Sequence, residues 1–123
     1  MTVAHLIEQW LRATICTWQG LCTAVRSDAA FRQELIALAI AVPASFVVAT
    51  GAWQRLALIG VILLVLVVEL LNTALEKLCD KLVPDADIDI GRVKDMGSAA
   101  VGLSLLIAAL AWLLALAEWI RLI

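Results

Sequence analysis

Glu69, Asn72, Thr73, Glu76 and Asp80 recur inside or at the edge of a long apolar stretch, at offsets of three, four, seven and eleven residues from Glu69. At helical periodicity these positions share one face, so a helix drawn through them carries a polar stripe. An ionisable side chain at membrane depth costs on the order of a few kcal/mol, which makes Glu69 a functional-site candidate by default. Glu69 and Glu76 stand two turns apart, about 10 Å along the axis at ~1.5 Å per residue. A deeper carboxylate can thus meet an alcohol held in lipid while a shallower one meets a phosphate arriving from water.

The chemistry this spacing suits is phosphoryl transfer. That reaction asks for a base on the attacking hydroxyl, a divalent metal on the phosphates and cations beside the developing charge. Glu69 is the candidate base. Hard oxygen ligands for Mg²⁺ are available at Glu76 and Asp28, because this ion takes one or two carboxylates and completes its shell with phosphate and water. Arg92, Lys94 and Asp95 place further charge just before the last apolar run.

The elements that must position these residues are membrane elements. The chain has 123 residues and is 64% hydrophobic, against about 45–50% for a soluble domain. Three spans of about 20 residues use most of that length, so residues 1–123 form a single membrane-embedded domain. A net charge of -2 excludes a phosphate-neutralising nucleic-acid face. Cys16, Cys22 and Cys79 have neither disulfide-framework nor zinc-site spacing. Glu8, Arg12, Arg26 and Asp28 interrupt the first 30 residues, so a cleaved signal peptide is not expected.

Residues 2–29 place Ile7, Leu11, Ile15, Trp18, Cys22 and Val25 on one stripe and His5, Gln9, Arg12 and Gln19 on another face. This pattern predicts an amphipathic helix lying on the membrane surface. Spans are expected at about 35–52, 56–75 and 99–117, with Trp53, Gln54 and Arg55 as the connection between the first two. Pro43 is tolerable in the first span, where neighbouring helices satisfy the freed backbone groups. Arg12, Arg26 and Arg32 precede the first span, and Lys77, Lys81, Arg92 and Lys94 separate the second from the third. The positive-inside rule puts the N-terminus and this second loop in the cytoplasm, and the C-terminus outside. Three thin helices are not expected to hide Glu69 alone, which predicts a closed homo-oligomer with shared sites. Gly97, Ser98 and Gly102 suit close helix packing.

No GxxxxGK[ST] loop, Gly-rich kinase loop, HRD or DFG occurs, so a kinase built on this chain must be of another lineage. A small oligomeric proton-coupled transporter would need the buried Glu69 but not Asp28, Glu76, Lys94 and Asp95 gathered on one side. A structural scaffold would leave the buried carboxyl as an uncompensated cost.

The strings Ala29-Ala30-Phe31-Arg32-Gln33-Glu34, Val68-Glu69-Leu70-Leu71-Asn72-Thr73-Ala74-Leu75-Glu76 and Gly91-Arg92-Val93-Lys94-Asp95-Met96-Gly97-Ser98-Ala99-Ala100 closely resemble the bacterial integral-membrane diacylglycerol kinases. The resemblance spans nearly the whole chain, with three long matches in order. It implies an all-α homotrimer of three-span subunits, each preceded by a surface helix, in the bacterial inner membrane. The implied activity is transfer of the γ-phosphate of Mg-ATP to diacylglycerol, giving phosphatidic acid; an undecaprenol kinase is the alternative on the same fold. Carried over residue by residue, Glu69 is the general base, and Asp28 and Glu76 ligate Mg²⁺. Asn72, Lys94 and Asp95 hold nucleotide with them. Trp18, Ala30, Phe31, Arg32, Gln33, Glu34, Arg55 and Ser98, together with Glu69, line the lipid site. Asp28 stands where the family usually has Glu, one methylene longer.

Overall fold

A computed structural model describes residues 2–83 and 85–121; Met1, Pro84, Leu122 and Ile123 lie outside the described residues. Four helices follow one another: α1 (Val3–Ser27), α2 (Ala29–Val48), α3 (Ala52–Leu82) and α4 (Ile88–Trp119). The last three are long and apolar enough to cross a membrane. α3 is the central element, packed on α4 along one side and α2 along another.

α1 starts at Thr2, whose hydroxyl accepts from the His5 amide at 3.3 Å. Along it, the hydroxyls of Thr14, Thr17, Thr23 and Ser27 each donate to the carbonyl one turn back. Those polar atoms are thereby satisfied within the helix. Only Ala24, near the C-terminal end, is buried, so α1 joins the bundle by its last turns.

A single extended residue, Asp28, separates α1 from α2. Its amide closes α1 on the Ala24 carbonyl at 2.9 Å. Its carboxylate opens α2 by accepting from the Ala30 amide at 3.0 Å, the N-cap role that Asp fills well. Ala24 and Phe31 pack from the two sides of this joint onto Leu66 of α3.

α2 continues through Pro43 and ends at Val48. The expected connection at Trp53, Gln54 and Arg55 is displaced: the linker is Ala49, Thr50 and Gly51, and Trp53, Gln54 and Arg55 already belong to α3. The reason is local. The Gln54 carboxamide reaches back to accept from both the amide and the hydroxyl of Thr50 at 2.7 Å, which satisfies donors ahead of the helix and fixes Gln54 in its first turn.

α3 and α4 also run past the apolar stretches expected at 56–75 and 99–117. Apolarity measures the thickness of the hydrocarbon layer, whereas helical hydrogen bonding continues into water without regard to it. Lys77, Lys81, Arg92 and Lys94 therefore ride on helices, α3 ending only at Leu82 and α4 beginning already at Ile88. Asp87 starts α4 by accepting from the amides of Asp89 and Ile90 at 2.9 and 3.1 Å.

At the opposite end of the bundle Val48, Leu58 and Ala115 form a second core, with the Trp112 indole donating to the Leu58 carbonyl at 3.1 Å. The buried positions of α2 and α4 are mostly small, including Ala41, Ser45, Ser104, Ala108 and Ala115, which lets the helix backbones approach closely.

Candidate functional site

The polar stripe of α3 meets the α1–α2 joint. Thr73 donates to the second oxygen of Asp28 at 2.5 Å, and the Glu69 carboxyl lies beside Asp28. Glu34, on the first turns of α2, and Glu76, two turns along α3, complete a group of carboxyls within electrostatic reach of Glu69. Asp28 is partly withdrawn from water, which pushes its carboxyl up. The bond from Thr73, the neighbouring Glu69 carboxyl and the amides of Phe31 and Ala30 together outweigh that burial and hold it below its ordinary value.

Glu69 is only 6% exposed within one chain. The expectation that a neighbouring subunit is needed to bury it is thus corrected. The α1–α2 joint, invisible as a packing element in the hydropathy pattern, covers Glu69 in its place.

Asn72 is 8% exposed and donates to Glu76 Oε1 at 3.4 Å, while its own Oδ1 is buried without a hydrogen-bond partner. That oxygen lies against Gly97 of α4, where an added Cβ would stand 2.2 Å from it and 3.2 Å from the Leu75 side chain. Of the three small residues expected to serve packing, Gly97 is the one at an α3–α4 contact; a Cβ on Gly102 would meet nothing within 4 Å. Gly97→Ala should therefore push Asn72 away from Glu76 and part the two helices, costing roughly 1–3 kcal/mol in the overpacking range. Gly102→Ala is its control and should unfold with the parent. Thermal unfolding of both variants in the same detergent checks this, and equal midpoints would show that the contact is not structural.

Lys94 forms an ion pair with Asp80, joining α4 to α3 one turn beyond Glu76. Arg92 pairs with Asp89 at 3.8 Å on an exposed surface. Asp95 and Ser98 are exposed on α4, and among the described residues neither bonds to the carboxyl group. Trp18, 69% exposed, lines a groove of about 390 Å³ with Phe31 and Leu35. The string 30–34 divides its tasks. Ala30 supplies the amide to Asp28, Phe31 is buried in the joint, and Arg32 donates to the Val25 carbonyl at 2.7 Å. Gln33 is exposed, and Glu34 turns one oxygen, Oε2, into the interior without a partner. Arg55 is not brought to this group: it lies about 21 Å from Glu69 along α3 at ~1.5 Å per residue, stacked 4.3 Å over the Phe46 ring.

Sequence spacing put Thr73 and Asp80 on the stripe but gave them no task; one fastens Asp28 and the other Lys94. The bond from Lys77 to Ser27 at 2.7 Å had no signal, since the two lie 50 residues apart and Lys77 reads only as a basic flank.

The chain matches the family model of prokaryotic diacylglycerol kinase over residues 15–116. It is 38% identical over 102 residues to the diacylglycerol kinase of Escherichia coli strain K12, covering 83% of this chain and 84% of that one. The diacylglycerol kinase of Haemophilus influenzae is 34% identical over 110 residues, 89% of this chain and 90% of its own. That of Pseudomonas aeruginosa is 34% identical over 106 residues, 86% of each.

Proposed function

This chain belongs to the prokaryotic diacylglycerol kinase family and is a lipid kinase; from that premise we propose that it transfers the γ-phosphate of ATP to the free hydroxyl of diacylglycerol, giving phosphatidic acid and ADP. The observation that supports this most is the buried Glu69 carboxyl, set beside Asp28, which Thr73 fastens to α3.

Glu69 takes the proton of the lipid hydroxyl as its oxygen bonds to the γ-phosphorus. The bond from that phosphorus to the β-phosphate oxygen breaks, and ADP leaves with the electron pair. Burial serves this step by excluding the water that would otherwise compete as acceptor. Asn72, Lys94 and Asp95 hold the nucleotide. Trp18, Ala30, Phe31, Arg32, Gln33, Glu34 and Ser98 hold the lipid beside Glu69.

Among the described residues no group of three His, Cys, Asp or Glu side chains is arranged as a metal cage. Mg²⁺ does not require one, because phosphate and water normally complete its shell. Asp28 and Glu76 fit it in kind: after accepting from Ala30, Thr73 and Asn72, their oxygens still have lone pairs to give. These two carboxylates would hold the ion, which supplies positive charge to the phosphates when bound.

The working form is a homotrimer in the bacterial inner membrane, with α1 on the cytoplasmic surface, the N-terminus inside and the C-terminus outside. The exposure of Asp95 and Ser98 on a single chain accords with sites completed by a neighbouring subunit. Purified protein in mixed micelles with Mg-ATP should form phosphatidic acid from diacylglycerol much faster than it phosphorylates undecaprenol. A preference for undecaprenol would overturn the substrate, and phosphorylation of neither would overturn the reaction.

A further inference from the structure

α1 is a 25-residue helix with one buried residue, Ala24, and a single extended residue, Asp28, joins it to α2. At ~1.5 Å per residue it is a lever roughly 37 Å long, so a small rotation about the Asp28 torsions swings either the lever or the carboxylate that caps α2. Something must hold the joint. Ala24 and Phe31 pack it on Leu66, but apolar contact has no directional preference.

The directional contacts come from two residues of α3. Thr73 donates to the Asp28 carboxylate, and Lys77 donates to the Ser27 hydroxyl at 2.7 Å. These donors stand one turn apart on one face, about 6 Å along the axis, and grip two consecutive residues of the joint. Among the described residues, Lys77 to Ser27 is the one side-chain hydrogen bond between α1 and α3. A bond from Thr73 alone would leave the joint free to turn about it; a second, one turn away, removes that freedom. The residue types suit the task. Ser27 gives its own proton to the Thr23 carbonyl at 2.7 Å, so its oxygen is left to accept and position 77 must supply a donor. Lys77 is in none of the ion pairs found among the described residues, so no carboxylate competes for its ammonium.

We propose that Lys77 is a positioning residue for the phosphoryl transfer: by holding Ser27 it fixes the turn of the α1–α2 joint, and with it the place of the neighbouring Asp28 carboxylate. Asp has a short side chain, so a displaced backbone carries the carboxylate off the place where it would meet a divalent ion. A misplacement of about 1 Å is enough to cost on the order of 10²-fold in rate. This rests on the reading of Asp28 as a metal ligand, but the joint itself is measured without metal or turnover.

The test compares Lys77→Met, Ser27→Ala, the double variant, Lys77→Arg and Lys81→Met in the full-length protein. Lys81 lies one turn beyond Lys77, is exposed and is in none of those ion pairs, so its variant removes an equal charge without removing the bond. Hydrogen exchange of the peptide spanning residues 24–31, in protein free of metal and nucleotide, should quicken about tenfold in Lys77→Met and in Ser27→Ala, and no further in the double variant. Lys77→Arg keeps a donor of similar reach and, like Lys81→Met, should exchange at the parent's rate. Mn²⁺ binding in the presence of a non-hydrolysable ATP analogue, read from the EPR signal of the free ion, should weaken about tenfold in the three variants that lack the bond, the lower end of the range for groups that orient a ligand. Their rate at saturating Mg²⁺ should stay within a few-fold of the parent, the loss appearing in the Mg²⁺ concentration required. Unchanged exchange in Lys77→Met, or an effect of Ser27→Ala that adds to it, overturns the clamp. Faster exchange with unaltered Mn²⁺ binding, or no Mn²⁺ binding by the parent, overturns the positioning role, and an equal loss in Lys81→Met overturns it in favour of surface charge. A parent that shows the whole binding pattern yet phosphorylates no lipid would count against the kinase reading alone.

Discussion

Glu69→Gln should lower phosphatidic acid formation by about 10²–10⁴-fold, the range a positioned general base contributes, while leaving a folded protein. The amide is nearly isosteric with the carboxyl, and its NH2 can donate to the neighbouring Asp28. Packing against the α1–α2 joint is retained. What disappears is the atom that accepts the lipid hydroxyl's proton. Initial rates in mixed micelles, set beside the elution volume of the assembly in detergent, separate the two. A variant within a few-fold of the parent's rate would remove Glu69 as the base, whatever its burial. A variant that aggregates would assign Glu69 to structure instead.

Asp28 gives the second large effect, and the fold makes it divisible. Asp28→Asn keeps the short polar side chain that caps α2: its carbonyl oxygen can accept from Ala30, and its NH2 can donate to the Thr73 hydroxyl where Asp28 now accepts from it. It removes the charge that a hard cation favours. Activity should fall by at least about 10²-fold, on the scale of losing a ligand that positions phosphate charge, while stability near neutral pH falls only by what the folded-state charge contributes. Asp28→Glu does the reverse. It retains the charge and should keep a substantial part of the activity, but a longer side chain is a poorer N-cap and should cost about 0.5–2 kcal/mol. Rates measured over a range of Mg²⁺, with unfolding midpoints for both variants, check the two halves. An Asn variant as active as the parent at low Mg²⁺ would take position 28 out of the site.

The same residue fixes a pH dependence of stability. Because the folded Asp28 carboxyl is held below its ordinary value of 3.8, its contribution is fully present above that value and is lost as pH falls through the lower folded one. The Asn variant, which has no carboxyl there, should lack this acid-side loss.

Periodicity and apolarity were enough to recognise three membrane-crossing helices, the stripe Glu69, Asn72, Thr73, Glu76 and Asp80, and the chemistry it suits. These are properties of one segment at a time, and a helix writes its own faces into the spacing of its residues. The connection at Ala49–Gly51 and the polar ends of α3 and α4 were not legible, because caps and intrahelical bonds, not apolar content, decide where a helix stops. Only the tertiary structure brought Asp28 to Thr73 and Glu69, set Gly97 against Asn72, and joined Lys94 to Asp80 and Lys77 to Ser27. It also buried Glu69 within a single chain, where hydropathy had called for a neighbour. Each of these contacts depends on the angle and depth at which separate elements meet. Those quantities are set by packing at the Asp28 joint and along the small residues of α2 and α4, and no periodicity within one element encodes them.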